Sequence, residues 1–140
     1  SDFGLEGFEN EFPYALSGGM RQRAAFLRTM LTESDVLLLD EPFSALDALN
    51  RSQMQAWLLD ILEGKNKTTV LVTHDVDEAI FLSDRVCVMS PRPGRIYEVE
   101  DIPFDRPRSR NLLTDPAYVE MKARLLRYLI GSYRSKETNR

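Results

Sequence analysis

The chain has only one cysteine, one histidine and one tryptophan in 140 residues. A single cysteine excludes an internal disulfide, and Cys87, inside the apolar run VCVM, is expected to be a small buried side chain. Long apolar runs are also missing, because segments such as 36–39 are far too short to cross a bilayer. The first residues contain no basic segment followed by an apolar one, so we expect a cytosolic chain.

Positive charge is not in excess. Lysine and arginine number 18 against 22 acidic residues, which gives a formal net charge of -4. This balance argues against broad electrostatic binding to nucleic acid, so we expect no nucleic-acid partner. The hydrophobic content of 43% and the length are ordinary for one globular core.

The hydrophobic pattern alternates between helix and strand periods, which predicts an α/β fold with a mostly parallel sheet. Met20, Ala24, Leu27 and Leu31 recur every three or four residues and indicate a helix over 19–31. The unbroken apolar segment DVLLLDEP predicts a strand buried on both faces, and TTVLVTHD predicts a second buried strand. The other elements predicted here are helices at 48–62, ended by Gly64, and at DEAIFLSD, and strands at RVCVMS and RIYEV.

The last part of the sequence changes in composition. Pro93 and Gly94 suit the central positions of a type II turn, which predicts a hairpin between the last two strands. The polar, proline-broken segment DRPRSRN is typical of a linker, and a helix follows from Pro116 to about Ile130 with Asp115 as its N-cap. The apolar stripe of that helix is Tyr118, Met121, Leu125, Tyr128 and Leu129. These patterns divide the chain into residues 1–104 and 105–140.

Glycines stand at the start of the first predicted helix, in LSGGMRQR. Glycine lets backbone N–H groups approach a ligand closely, and a helix N-terminus carries partial positive charge. Ser17, Gly18 and Gly19 therefore suit the binding of a phosphate. A flexible N-cap is the alternative that the spacing alone leaves open.

Polar residues follow the predicted strands at the edge where parallel sheets bind ligands. Asp40 and Glu41 end the first strand, and His74 with Asp75 ends the second. Because adjacent residues at a strand end point in different directions, one carboxylate can hold Mg²⁺ while its neighbour polarises an attacking water. His74 can donate a hydrogen bond to a phosphate, although a lone histidine is more often structural.

Four segments together resemble the nucleotide-binding subunits of ABC transporters. LSGGM at 16–20 resembles the signature loop, and VLLLDEP at 36–42 resembles Walker B with its catalytic glutamate. SALD at 44–47 resembles the D-loop, and VTHD at 72–75 resembles the switch histidine segment. The resemblance covers about residues 8–99, in the family's order. The words FSALDAL, THDVDEAIFLSDRV and MSPRPGRI are most similar to bacterial importers of the nitrate, sulfonate and taurine group.

The resemblance implies a partial P-loop ATPase domain that uses ATP and Mg²⁺ as the motor of solute uptake. By similarity, Ser17, Gly18 and Gly19 contact the γ-phosphate of ATP held by a second nucleotide-binding subunit in a head-to-tail dimer. Transmembrane permease subunits are the other implied partners. The implied location is the cytoplasm, peripheral on the inner face of the cell membrane.

The resemblance also implies a role for each remaining polar residue. Asp40 would coordinate Mg²⁺, and Glu41 would position and activate the attacking water. Asp47 would communicate across the dimer, and His74 would contact the γ-phosphate. Such positioned charges and hydrogen bonds are the main means by which proteins catalyse phosphoryl transfer.

The chain departs from the family at its phosphate loop, because no G-x-x-x-x-G-K-[ST] segment occurs in it. The adenine-stacking aromatic and the glutamine loop, which also precede the signature in the family, are absent too. We therefore expect a C-terminal fragment, inactive alone, in which 1–104 is the C-terminal part of the ATPase domain and 105–140 is a linker and helix. By resemblance, the missing phosphate-loop strand lies between the strand that ends at His74 and the strand at 86–89, which leaves unpaired edges.

Two other functions remain open. A non-catalytic interaction module would bind no nucleotide, which an assay on the isolated chain would reveal. An ABC-type ATPase of DNA maintenance would need long coiled-coil arms, and the sequence has no heptad run. The segments GGMRQR and DEPFSALD favour the importer subunit.

Overall fold

The computed structural model describes residues 5–32, 34–63 and 67–137, and the chain divides into two compact units, Ser1–Val72 and Thr73–Arg140. The first unit contains a 3-10 helix Pro13–Ala15, α1 Gly18–Met30, β1 Val36–Asp40, α2 Ala48–Leu62 and β2 Thr68–Val72. The second contains α3 Val76–Leu82, β3 Arg85–Met89, β4 Ile96–Asp101, a 3-10 helix Arg110–Thr114 and α4 Pro116–Glu137. This order confirms the predicted α/β fold. The predicted helix stop at Gly64 lies outside the described residues.

The first unit is built on a parallel pair of strands, as the sequence predicts. β1 and β2 pair in parallel, from Val36 opposite Thr68 to Asp40 opposite Val72. The core beside them is Phe26, Leu37, Leu39, Phe43, Met54, Leu58 and Leu59. In α1 the buried side chain is Phe26, whose ring centroid lies 5.8 Å from that of Phe43. Leu31, predicted on the apolar face of this helix, follows its last residue and is 75% exposed.

The β1–β2 pair buries apolar side chains of one face only, so the prediction of a strand buried on both faces is wrong. Along β1, Leu37 is 3% exposed and Leu38 is 71% exposed. No side chain of β2 is buried, which also corrects the prediction for that strand. We call Val36, Leu38, Val70 and Val72 the outer face; all four are exposed. The misprediction has a physical reason, because an unbroken apolar run does not reveal how many of its faces are covered.

In the second unit the predicted hairpin is present, but its turn is not type II. β3 and β4 pair antiparallel, with a register irregularity between Val88 and Met89. The loop is closed by Ser90 and Arg95, since the Ser90 N–H donates to the Arg95 carbonyl at 2.8 Å. Gly94 does not have the positive φ that the second central position of a type II turn requires.

Cys87 is exposed, contrary to its predicted burial. It lies on β3 opposite Val99, which is also exposed, whereas the next residue, Val88, is only 4% exposed. Since successive side chains of a strand point to opposite faces, burial of Val88 in the core leaves Cys87 on the outside.

The last helix closes the core of the second unit. This core consists of Ile80, Val88, Ile102, Tyr118, Met121 and Leu125. The α4 residues among them belong to the predicted apolar stripe, and Asp115 caps the helix as predicted, accepting from the Ala117 N–H at 2.8 Å. Residues 105–137 therefore fold with the second unit, while the proposed domain boundary at 104 stays a prediction. Among the described residues, no helix is both long and apolar enough to cross a membrane.

Candidate functional site

The exposed start of α1 is organised by Ser17. The Ser17 hydroxyl accepts a hydrogen bond from the Met20 N–H at 3.2 Å and so serves as the N-cap. The Arg21 guanidinium donates to the Leu16 carbonyl at 2.6 Å, which holds the segment before the cap. The N-terminal backbone donors of the helix and their partial positive charge are thus presented at the surface.

Gly18 and Gly19 are not required by the packing of the part of the chain that the structure describes. Neither has a positive φ, and a Cβ added at either position would meet no atom within 4 Å. A Cβ would therefore fit without strain, and the packing of the described residues gives no reason for glycine here. Two glycines at such a helix start are suited to the close approach of a ligand from outside.

Glu41 has an unusual backbone conformation. Its φ of 47° lies in the left-handed region, which costs a residue with a side chain about 1–2 kcal/mol. Its N–H donates to the Val72 carbonyl at 2.9 Å, and its carbonyl accepts from the Ser44 N–H at 3.2 Å. These contacts hold the turn directly after β1, where Asp40 is exposed and Glu41 is half-buried. Strained residues held in this way concentrate at functional sites.

One groove runs along α1, from Gly18 to Thr29, beside the end of β1. The groove has a volume of about 550 Å³, and its polar lining includes Arg21, Gln22 and Asp40 together with the backbone of Gly18. The Gln22 side-chain amide donates to the Pro42 carbonyl, which ties α1 to the turn after Glu41. The first unit therefore brings the predicted phosphate-binding glycine and the predicted Mg²⁺ ligand to the same groove.

Asp47 is the N-cap of α2. Its carboxylate accepts hydrogen bonds from the Asn50 N–H at 3.0 Å and the Leu49 N–H at 3.1 Å. The hydrogen bonds from Asn50 lower the pKa of Asp47 below its ordinary value. The residue predicted to communicate across a dimer thus has a structural task within its own chain.

His74 lies in the second unit and is exposed. The residues on either side of it are fixed by local hydrogen bonds. The Asp75 N–H donates to the Thr73 hydroxyl at 3.0 Å, and the Asp75 carboxylate caps α3 by accepting from the Glu78 N–H at 3.1 Å. The short segment that carries the imidazole is therefore anchored to the first turn of α3.

A complete metal site is not formed by acidic, histidine or cysteine side chains in the part of the chain that the structure describes, since no three of them converge. Mg²⁺ is ordinarily held by one or two carboxylates together with substrate phosphates and water. The exposed Asp40 in the groove fits such a partial ligand set.

Comparison with known proteins finds similarity to ABC transporter proteins. The family model described as ABC transporter matches residues 1–44. An uncharacterized ABC transporter ATP-binding protein of Methanocaldococcus jannaschii is 49% identical over 126 residues, which is 90% of this chain and 46% of the relative. The aliphatic sulfonates import ATP-binding protein of Bacillus cereus strain ZK is 52% identical over 107 residues, 76% of this chain and 43% of the relative.

The chain is similar over most of its length to ATP-binding proteins of ABC transporters. A solved structure agrees: a dimeric ATP-binding cassette in a post-hydrolysis state, bound to ADP and Pi, matches with a TM-score of 0.55 and 31% identity. That match covers 71% of this chain and 42% of the solved one. The chain spans about half the length of the curated relatives it matches.

Sequence reasoning missed two arginines of the second unit. Arg106 and Arg108, in the segment predicted to be a linker, turn onto the backbone carbonyls at the end of α3. Arg108 is only 8% exposed. Its carbonyl partners in α3 lie 27 and 28 residues earlier in the chain, so no local pattern in the sequence indicates the contact. Although its composition is proline-broken and basic, the segment packs against the end of α3.

Proposed function

We propose that this chain carries the signature, Walker B, D-loop and switch-histidine parts of the ATP-hydrolysing subunit of a bacterial ABC importer. The observation that carries the proposal is the exposed start of α1, where Ser17 caps the helix and a Cβ at Gly18 or Gly19 would meet no described atom within 4 Å. Because no packing contact among the described residues requires Gly18 or Gly19, their backbone would be open to a phosphate. ATP-driven dimerisation would then power solute uptake.

In this proposal the signature residues act on nucleotide held by another subunit. Ser17, Gly18 and Gly19 would cap the γ-phosphate across a head-to-tail dimer, with the helix start supplying N–H donors and positive potential. Asp47, fixed as the cap of α2, would transmit the state of one subunit to its partner. A relative of known structure is described as dimeric, which supports this arrangement.

The chemical step is assigned to residues at the ends of β1 and β2. Glu41 would accept the proton of the attacking water, and His74 would donate a hydrogen bond to the γ-phosphate. Mg²⁺, held by Asp40, would neutralise charge that develops on the phosphate oxygens.

The transported solute is proposed to be of the nitrate, sulfonate and taurine kind. Several relatives at 45–52% identity are named for aliphatic sulfonates import. Permease subunits in the membrane would be the partners that this motor drives, from the cytoplasmic face. These partners, not the residues of this chain, would select the solute.

The test of the proposal is Glu41→Gln in a subunit that also carries a phosphate loop. We expect ATP binding to persist and turnover to fall by about a hundred-fold or more, because the proton acceptor is lost while Asp40 remains. Glu63→Gln, at an exposed position after α2, is the matched control and should leave turnover unchanged. Near-normal hydrolysis by the Glu41 variant would assign the base to another residue.

A further inference from the structure

Arg108 holds the C-terminal end of α3. One guanidinium nitrogen donates to the carbonyls of Ile80 at 2.9 Å, Phe81 at 3.2 Å and Ser83 at 2.7 Å. The carbonyls of a last helical turn lack partners within the helix and carry partial negative charge, so a guanidinium is well suited to them. Arg108 also donates to the carbonyl of Phe104, which fixes its own segment.

Arg106 adds a second, more exposed contact at the same end of α3. Its guanidinium donates to the Leu82 carbonyl at 2.8 Å and pairs with the Asp84 carboxylate at 2.9 Å. Asp84 also lies 3.7 Å from Arg108. The two arginines thus bond to four consecutive carbonyls, at residues 80–83.

The N-terminal end of α3 is held by α4. The Tyr118 hydroxyl lies 3.2 Å from both the backbone carbonyl and the carboxylate of Asp77, and the Lys122 ammonium lies 2.6 Å from that carboxylate. Tyr118 is 1% exposed. Burial, together with the Asp77 carboxylate, raises the pKa of Tyr118, so its hydroxyl remains a donor throughout the neutral range.

His74 is separated from α3 only by Asp75, the cap of that helix. The Asp75 carbonyl accepts from the Ala79 N–H at 3.0 Å, and its carboxylate accepts from the Glu78 N–H. A shift of α3 therefore shifts the backbone that carries the imidazole. Contacts at both ends of a seven-residue helix leave it little freedom to shift alone.

We propose that residues 106–122 position His74 through α3, with Arg108 and Tyr118 as positioning residues. The C-terminal segment is then part of the machinery that sets the imidazole. The catalytic consequence rests on the function proposed above for His74, whereas the mechanical coupling does not.

The coupling can be measured without nucleotide, because His74 is the only histidine in the chain and gives one set of imidazole NMR signals. Tyr118→Phe combined with Lys122→Met removes the polar contacts to Asp77 while keeping the side-chain volumes similar. Arg108→Lys keeps the charge and loses the planar fork. The control is Arg127→Gln, an exposed change on α4. We expect both test variants, and not the control, to shift or broaden the His74 signals.

Folding of each variant is checked by circular dichroism and by the amide signals of β1 and β2, so a global collapse is recognised. The variant with Tyr118→Phe and Lys122→Met keeps the buried ring at position 118. It tests the coupling if Arg108→Lys does not fold. Unchanged His74 signals in a folded variant whose α4 amide signals have moved would overturn the coupling.

The second measurement is ATP turnover in a subunit that carries a phosphate loop. We expect Arg108→Lys to lower kcat by about five-fold with KM for ATP nearly unchanged, and to have no further effect in a His74→Ala background. An equal loss in both backgrounds would show a merely structural role and overturn the proposal. If His74→Ala itself leaves turnover intact, the proposed role of His74 fails, and the NMR result still decides the coupling.

Discussion

At the scale of single residues, Glu41 combines a proposed chemical role with a left-handed backbone. Glu41→Gly and Glu41→Ala both remove the carboxylate, so a difference in stability between them reports the backbone conformation alone. Glu41→Gly should be more stable than Glu41→Ala by about 1 kcal/mol, because glycine adopts a positive φ without steric penalty. The free energy of unfolding, measured in urea, checks this. Equal stabilities would show that the φ of 47° relaxes in solution.

Asp47 should make helix α2 sensitive to acid. Its pKa is depressed in the folded chain, so its contribution is present above the ordinary aspartate pKa and is lost as pH falls through the lower folded value. Asp47→Asn should make the melting temperature depend less on pH in this range. It should change the melting temperature little at pH 7, because asparagine can also cap a helix. Asp47→Ala should lower the melting temperature at pH 7. The measurement is the melting temperature of the three proteins between pH 7 and pH 2.

The residues that could be predicted from sequence are those whose chemistry is local. Asp40 and Glu41 were expected at a strand end and are found there, since an apolar run followed by acids is readable in the chain. The contact of Arg108 with α3 could not be predicted, because its carbonyl partners in that helix lie more than twenty residues away in the chain. The individual roles of these side chains remain predictions.

At the scale of elements, helix starts are readable because their caps are local. The N-caps of α1 to α4 are Ser17, Asp47, Asp75 and Asp115, and each of their side chains accepts a backbone hydrogen bond. The predicted starts of all four helices lie within two residues of the observed ones. The covering of the strands was not predictable, because it depends on which other elements lie against each face.

Leu37 and Leu38 are neighbours on β1, one buried and one exposed, and so they test whether only one face of the strand is covered. Leu37→Ala should destabilise the chain by about 2–5 kcal/mol, because the side chain is 3% exposed and its removal leaves a cavity. Leu38→Ala should change stability by less than about 0.5 kcal/mol, since that side chain is 71% exposed. Urea unfolding of both variants measures the difference. Comparable losses would mean that the outer face is covered in solution.

At the scale of the whole molecule, the sequence lacks a phosphate loop although it is similar to ATP-binding proteins of ABC transporters. We therefore expect the chain alone neither to bind nor to hydrolyse ATP appreciably. Each charge-assisted contact from such a loop is worth about 1.5–3 kcal/mol, so losing several lowers affinity by many powers of ten. Isothermal titration with Mg-ATP checks the binding.

Adding a polypeptide that carries the phosphate-loop half of the cassette should restore Mg²⁺-dependent hydrolysis. Ser17→Arg should abolish it, because the long side chain would occupy the place of the γ-phosphate. Phosphate release is measured for the chain, the mixture and the variant. Hydrolysis by the chain alone at the rate of the mixture, and dependent on Glu41, would refute the expected need for a second half.

The stability of the first unit should depend on what binds its exposed outer face. Its four aliphatic side chains remain in water. Anything that binds this face in the folded state alone shifts the folding equilibrium by mass action, by about 2.7 kcal/mol at a hundred times its dissociation constant. The melting temperature of this unit should therefore rise with the concentration of any molecule that binds the outer face, and this rise reports the binding.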